Sequence, residues 1–304
     1  MKMPRVICII VTFNREHLLQ QTLDAVLNQT FPLQNIIVID NNSFDNTRSL
    51  VSKLSENNPK IEYHNTGANI GGAGGFHRGF AIASKYKYDY LWLMDDDLKP
   101  EIECLYNLIS SATEHGIYQP IRINVDGSCA ELSPVVYDLK NPFFMNPKRL
   151  SVINLYKRMN NAVYSPFDIH GVPFEGPLIS RDVIQCIGYP NPNFFIFYDD
   201  LDYSLRARKA GFEIKCIPSA RAVRLLKNNQ RSDLTSWKGY FMFRNLFYIH
   251  RTYGENIFVR LKPFLLVLGY LVFLIFRFKF NQVPTILSAF KDSRKLDNSE
   301  LHKP

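Results

Sequence analysis

Two clusters of carboxylates are the residues of this chain best suited to chemistry. Asp95, Asp96 and Asp97 come directly after the apolar run Leu91-Trp92-Leu93-Met94. Asp199, Asp200 and Asp202 follow a second, aromatic run, Phe194-Phe195-Ile196-Phe197-Tyr198. An ionised carboxylate taken out of water costs several kcal/mol even after relaxation. The triplet therefore belongs at a strand end, in water or around a cation. A solvated acidic turn would satisfy it. A divalent ion with hard oxygen ligands would also relieve its repulsion. In a helix that starts at the second cluster, Asp199 and Asp202 share a face, Asp200 points elsewhere, and Arg206 lies one turn beyond Asp202. N-capping and the helix dipole account for one of these acids, not for three.

A glycine-rich segment, Asn69-Ile70-Gly71-Gly72-Ala73-Gly74-Gly75-Phe76-His77-Arg78-Gly79, precedes the first cluster. It meets neither the dinucleotide fingerprint nor the P-loop pattern. Its backbone can approach a ligand closely and opens a helix whose N-terminus favours phosphate, with Arg78 one turn in. A tight turn with close helix packing is the plainer reading of the same glycines.

The elements that must position these groups alternate. Residues 6–11 and 35–40 are continuous apolar runs of the kind found in parallel strands covered on both faces. Leu18, Leu19, Leu23, Val26 and Leu27 recur at helical spacing. A helix over 47–54, a strand over 61–64, a glycine loop over 71–75, a helix over 76–84, a strand over 90–94 and a helix from Ile102 to beyond Leu108 continue the series. This βαβα order predicts an α/β fold with a mostly parallel sheet flanked by helices. Ligands bind such sheets at the carboxyl ends of the strands. The polar residues Thr12 to Arg15, Asp40 to Asn42 and Asp95 to Asp97 all stand there. The middle, 114–161, is rich in Pro, Asn and Tyr and less regular, with a mobile stretch expected around 141–149. Order returns at 172–180, with a helix over 203–210 ending at Gly211 and a strand over 213–217.

At 304 residues with 46% apolar side chains, the chain has ample core for one large domain or two modest ones. Its five cysteines are scattered without a CxxC pair, which argues against a zinc cluster or disulfide framework and for a reducing compartment. The N-terminal apolar run is too short for a signal peptide. The net charge of +8 is uneven. Residues 206–279 hold 15 Lys and Arg against 3 Asp and Glu, so the remainder is slightly acidic. An anionic partner surface follows. The uncharged run 264–276, flanked by Arg260, Lys262, Arg277 and Lys279, selects anionic lipid over nucleic acid. At about 13 residues the run falls short of the roughly 20 that span a bilayer. It reads either as a buried helix or as one lying in the headgroup region.

Five segments in order carry a resemblance. They are Val11-Thr12-Phe13-Asn14-Arg15, Val38-Ile39-Asp40-Asn41-Asn42-Ser43, the glycine segment, Met94-Asp95-Asp96-Asp97, and Tyr198-Asp199-Asp200-Leu201-Asp202-Tyr203-Ser204-Leu205-Arg206. Together they resemble the family 2 inverting glycosyltransferases of the GT-A fold. The glycine segment with the acid triplet is most similar to the galactofuranosyltransferase branch, and some rhamnosyltransferases share it. The resemblance implies a nucleotide-sugar-binding half at 1–112, an acceptor-binding and catalytic half at 113–235, and a helical, membrane-associating region at 236–304. It implies a UDP-sugar donor and a Mg²⁺ or Mn²⁺ ion that neutralises the departing diphosphate. Asp97, with Asp95, would hold the metal, and Asp95 and Asp96 would also contact ribose, phosphate or sugar. Asp40 would receive the uracil N–H, with Thr12, Asn14, Arg15 and Asn42 around the base. Asn69, Gly72 and Arg78 would line the donor site. Asp200 would be the general base and Asp199 would position acceptor or sugar, near Phe174 and Glu175.

The same resemblance implies hexosyl transfer, galactofuranose included, to a glycan or lipid-linked acceptor at the cytoplasmic face of the cell membrane. A dTDP-rhamnose donor and a nucleotidyltransferase acting on sugar phosphates are the alternatives. One position departs from the family. Where a metal-binding His often follows the Ile-Pro-Ser-Ala segment, this chain has Arg224, whose guanidinium cannot ligate a cation. The metal would then rest on aspartates, diphosphate and water, or Arg224 would contact the diphosphate itself.

Overall fold

The computed structural model describes residues 3–112, 115–144, 146–159, 163–226, 236–278, 280–296 and 302–303. The first half alternates as its periodicity requires: β1 (Val6–Thr12), α1 (Glu16–Leu27), β2 (Asn35–Asp40), α2 (Thr47–Asn57), β3 (Ile61–Asn65), α3 (Gly71–Ala83), β4 (Tyr90–Asp95), the short β5 (Leu98–Pro100) and α4 (Cys104–Ser111). Strands β1 to β4 are parallel neighbours in the order β3-β2-β1-β4. Every residue of β1 is buried, and its side chains alternate between two cores. Ile7, Ile9 and Val11 face Phe76 and Phe80 of α3, whereas Val6, Cys8 and Ile10 pack with Leu19, Leu23 and Val26 of α1. A strand covered on both faces has no polar positions, which is why 6–11 reads as one apolar run.

The second half joins the same sheet. It comprises β6 (Gly116–Ile123), β7 (Pro134–Tyr137), β8 (Lys148–Ser151), α5 (Val152–Arg158), β9 (Phe167–Asp168), β10 (Leu178–Ser180), α6 (Arg181–Ile187), α7 (Asp199–Lys209) and β11 (Glu213–Arg224). β10 runs antiparallel between β4 and β6, β11 lies parallel to β6, and β5 closes the edge antiparallel to β11. Within the irregular middle, β7 and β8 form a separate two-stranded sheet. The ends of that middle, Glu114 and Asn161, lie outside the described residues.

Two expectations change. The glycines were expected to form a loop before a helix at 76, but α3 begins at Gly71 and they make its first turns. A Cβ on Gly74 would come within 2.9 Å of Ile70, on Gly75 within 2.6 Å of Val11 and on Gly79 within 2.4 Å of Ile9. Close packing of the helix on β1 thus explains Gly75 and Gly79, and contact with the residue before the helix explains Gly74.

The second change is at the C-terminus, where α8 (Lys238–Tyr253), α9 (Ile257–Phe276) and α10 (Val283–Asp292) pack together. The 13-residue run belongs to a helix of 20 residues, about 30 Å long at 1.5 Å per residue. Asn256 caps it by accepting from the Val259 N–H, and the helix then passes through the charges that seemed to bound it. Lys262 turns inward and donates to the Phe144 carbonyl. Length and composition suffice to cross a membrane, yet one side of α9 packs on its neighbours while Leu265, Leu268, Ile275 and Phe276 stay exposed. Lys279, the outer flank of the run, lies outside the described residues.

Candidate active site

Strand register brings the polar ends together. Thr12 pairs with Asp40 across β1 and β2, and Val11 pairs with Asp95 across β1 and β4. The turns after β1 and β2 then interlock. Asn14, at φ 53°, accepts from the Phe44 N–H at 2.7 Å and donates its own N–H to Ser43 Oγ at 2.8 Å. Asp40 is fully buried; one oxygen accepts from the Ser43 hydroxyl at 2.6 Å and the other from Tyr63 at 2.6 Å. Asn42 sits beside it at φ 65°, a conformation that Asn tolerates better than most residues.

The three aspartates of the triplet part company. Asp96 points back under the first turn, where it accepts from Thr12 Oγ1 at 2.8 Å, from the Phe13 N–H at 3.3 Å and from Arg15 Nη1 at 3.0 Å. It is a buried anchor that ties β1 to β4, satisfied by partners from its own chain. Asp95 and Asp97 keep company with Glu175 instead. Burial, then Glu175 and Asp97, push the Asp95 carboxyl well above its ordinary range. Burial, then Glu175 and Asp96, raise Asp97 to about 6. Arg224 stands at the same place, its Nε 3.3 Å from Glu175 Oε2 and its strand neighbour Leu225 donating to the Asp97 carbonyl at 2.9 Å.

Glu175 is held from below by Arg122. That guanidinium is buried on β6, makes a two-pronged pair with Glu131 at 2.8 Å on each arm, and reaches Glu175 with its remaining nitrogen. Burial alone would push the Glu131 carboxyl up, but Arg122 and Ser133 hold it below its ordinary value. Arg122 and Glu131 were not anticipated from the sequence. The signal was present: a lone Arg between Ile121 and Ile123 in a strand must find a carboxylate.

A cavity of about 530 Å³ opens beside this network. Its lining includes Glu175, Arg122 and Arg224, Asp200 with Tyr198 before it, and Lys148 of β8. Burial first, and Glu175 further, raise the Asp200 carboxyl to about 6, against the bond it accepts from the Leu201 N–H. Asp199 is buried behind it and pushed well above its ordinary range by burial and by Asp200. Asp202 turns away, as the helical spacing predicts, to Arg206 Nε at 3.0 Å and to the Tyr253 hydroxyl at 2.5 Å.

The segment that delivers these acids is contorted. Phe195, Phe197 and Tyr198 all have positive φ. At φ 63° and ψ −63°, Phe195 centres a γ-turn of the rare form, closed by the Ile196 N–H on the Phe194 carbonyl at 2.8 Å. Such backbone costs about 1–3 kcal/mol per residue and persists only where the surroundings over-determine it. The Phe195 carbonyl docks on the start of α3, accepting from the Ala73 N–H at 3.1 Å. The helix N-terminus expected to meet phosphate therefore receives a protein carbonyl there. Gly71 is required for that approach, since a Cβ on it would lie 2.1 Å from Phe195 O.

The profile of Glycosyl transferase family 2 matches residues 7–188, which hold the interlocked turns, the triplet and Glu175. The chain belongs to this family. Galactofuranosyltransferase GlfT1 of Mycolicibacterium smegmatis is 30% identical over 217 residues, which cover 68% of this chain and 66% of that enzyme, just under two thirds of its length. The chain resembles the crystal structure of GalNAc-T7 with UDP, GalNAc and Mn²⁺ at a TM-score of 0.59 and 14% identity, over 86% of this chain and 54% of that one. It resembles the mannosyltransferase PcManGT from Pyrobaculum calidifontis, in complex with GDP-Man and Mn²⁺, at a TM-score of 0.58 and 16% identity, over 99% of this chain and 78% of that one. The fold is that of the GT-A glycosyltransferases, with an apolar helix added at the C-terminal end.

Within this glycosyltransferase, Thr12, Asn14, Arg15, Asp40 and Asn42 form one cluster, and Asp95, Asp97, Glu175 and Arg224 a second beside it. Asp200 lines the same cavity as Glu175 and Arg224 of that second cluster. Four residues fall elsewhere. Phe174 is turned into the core, edge-on to Phe76 at 4.9 Å and Tyr203 at 5.7 Å, while Glu175 takes the cavity side. Arg78 is exposed on α3 and forms no ion pair among the described residues. Asn69 accepts from the Gly71 N–H at 3.0 Å, which fixes the start of α3, and Gly72 alone of the glycines there has open space in front of it.

Among the described residues no group of three or more His, Cys, Asp or Glu converges on one point. Asp95 and Asp97 still suit a divalent cation. They are hard oxygen donors whose carboxyls are raised by burial first and by Glu175 next, and an ion of charge +2 offsets both. Such an ion would take its remaining ligands from diphosphate and water.

Proposed function

We propose that this glycosyltransferase carries out metal-dependent, inverting transfer of a hexosyl residue from a UDP-sugar to a hydroxyl of a glycan or lipid-linked acceptor, with galactofuranose the foremost donor sugar. The observation that carries this reading is that Asp200 lines one cavity with Glu175 and Arg224, which adjoin the acid triplet. A carboxylate there can take the proton of an acceptor hydroxyl as its oxygen attacks the anomeric carbon. The bond from that carbon to the diphosphate oxygen breaks on the opposite side, and a single displacement inverts the centre. Mg²⁺ or Mn²⁺ held by Asp97 and Asp95 would supply charge neutralisation to the diphosphate. Arg224 stands beside those acids and supplies a fixed positive charge to the same group.

The base pocket falls to the first cluster. Asp40 accepts the uracil N–H, and Thr12, Asn14, Arg15 and Asn42 shape the walls, with Asp96 holding Arg15 and Thr12 in place. The likeness to galactofuranosyltransferase GlfT1 over most of this chain supports the donor sugar. The exposed apolar side of α9, with Arg260 and Arg277 near its ends, supports a peripheral seat on the anionic inner face of the cell membrane, where lipid-linked acceptors are presented.

The test is release of nucleoside diphosphate from a panel of nucleotide sugars, with and without Mn²⁺. UDP-galactofuranose should be the best donor, and chelation should abolish turnover. Preference for dTDP-rhamnose would overturn the donor assignment, and full activity in chelator would overturn the metal.

A further inference from the structure

The strained segment before Asp200 needs something to hold it, and its own sequence does not. Residues 195–198 contain no glycine, yet three of the four have positive φ. The restraint comes from α8. Asn245, fully buried, places its amide Nδ2 3.1 Å from the Phe194 carbonyl, 2.8 Å from that of Ile196 and 2.9 Å from that of Phe197. Its two hydrogens are shared among three carbonyls that a relaxed backbone would not turn the same way. Arg244, also fully buried, donates to the Asn193 carbonyl at 2.7 Å and to the Phe194 carbonyl at 3.0 Å. Its Nε donates to Asn245 Oδ1 at 2.9 Å, which fixes which way the Asn amide points. One turn earlier, Phe241 stacks on Phe195 with ring centres 4.9 Å apart, and at the end of α8 Tyr253 holds Asp202.

We infer that Asn245 and Arg244 are positioning residues for glycosyl transfer: they clamp the carbonyls of residues 193–197 and so aim Asp200 into the cavity. The inference rests on the reading of Asp200 as the base. It makes α8 part of the catalytic apparatus rather than part of an anchor. The chemical reason is specific. Buried carbonyls need donors, and the two N–H groups of one uncharged amide nitrogen serve three of them from one point. Without it the γ-turn relaxes and the start of α7 shifts. A displacement of about 1 Å at a reacting group can cost about 100-fold in rate.

The test compares Asn245→Ala, Arg244→Lys and Asp292→Asn in the full chain, with kcat, donor KM, UDP affinity and the pH profile of kcat measured for each. Asp292→Asn is the control, because it weakens the bond that Tyr240 of α8 donates to α10 at 2.8 Å and leaves every α8 side chain in place. Asn245→Ala should lower kcat about 100-fold, keep donor KM and UDP affinity within about 3-fold, and displace the acid limb of the profile, because the Asp200 carboxyl changes surroundings. Arg244→Lys keeps the charge and some donors and should lose about 10-fold with the same split; it carries the test if Asn245→Ala does not fold. Two results overturn the clamp: kcat within about 3-fold of wild type in both variants, or a loss matched by an equal loss of UDP affinity. Turnover surviving in Asp200→Asn overturns the base reading alone. Near-wild-type kcat in Asn245→Ala beside an inactive Asp200→Asn overturns the clamp alone.

Discussion

Asp200 carries a proton up to about pH 6, because burial and Glu175 oppose its charge. As a base it works only when ionised, so kcat should rise through about pH 6 and level off above it, and a profile flat from 5 to 7 would contradict the role. The triplet shows why residue type alone does not assign a role. Its three aspartates are equivalent in the sequence, but Asp96 is taken up by Thr12 and Arg15, while Asp95 and Asp97 face Glu175. That division depends on χ angles and on a partner about eighty residues away, neither of which a local pattern contains. Asp97→Ala should accordingly abolish the stimulation of UDP binding by Mn²⁺ in calorimetry. Asp96→Ala should instead lower the melting temperature, because it leaves the buried Thr12 hydroxyl without its acceptor and Arg15 with only the longer pair to Asp97, at 3.6 Å.

At the scale of elements, the parallel strands were legible because burial on both faces leaves no polar positions, as in β1. The helix over 203–210 was legible through Gly211, although it starts earlier, at Asp199. The glycine segment was misread because glycine serves a turn and a close helix contact equally well, and only the neighbours, Ile9, Val11 and the Phe195 carbonyl, decide between them. Gly71 has φ 74° and no room for a Cβ. Gly71→Ala should therefore cost about 1–3 kcal/mol of stability and lower kcat, read from chemical denaturation and initial rates. α9 exceeded its uncharged run because a helix can bury a lysine that finds a carbonyl, as Lys262 does. Its exposed side gives a separate prediction: Leu265→Glu with Leu268→Glu should abolish flotation with anionic vesicles and leave turnover on a soluble acceptor unchanged. Raised salt should weaken the wild-type interaction if the charge of this region contributes.

Across the whole molecule, one sheet carries both halves of the site. β4 delivers the triplet, and β10 and β11, from beyond residue 170, flank it and bring Arg224 to its side. Asp40 and the triplet were visible in the sequence as polar residues at strand ends, Asp199 to Asp202 as acids at a helix start, and Arg224 through the family resemblance. Arg122, Glu131, Lys148, Arg244 and Asn245 were not singled out, because their roles lie in long-range contacts. The irregular middle and α8 supply much of the cavity wall, and neither has a periodicity that announces it. In the proposed reaction the halves are joined chemically by pairing a donor site on β1 to β4 with a base on α7. Turnover and UDP binding of Asp200→Asn, measured on the same preparation, test that pairing most directly. The expected result is a loss of transfer of at least about 1,000-fold with UDP affinity within about 3-fold of wild type. Transfer at the wild-type rate in Asp200→Asn would contradict it.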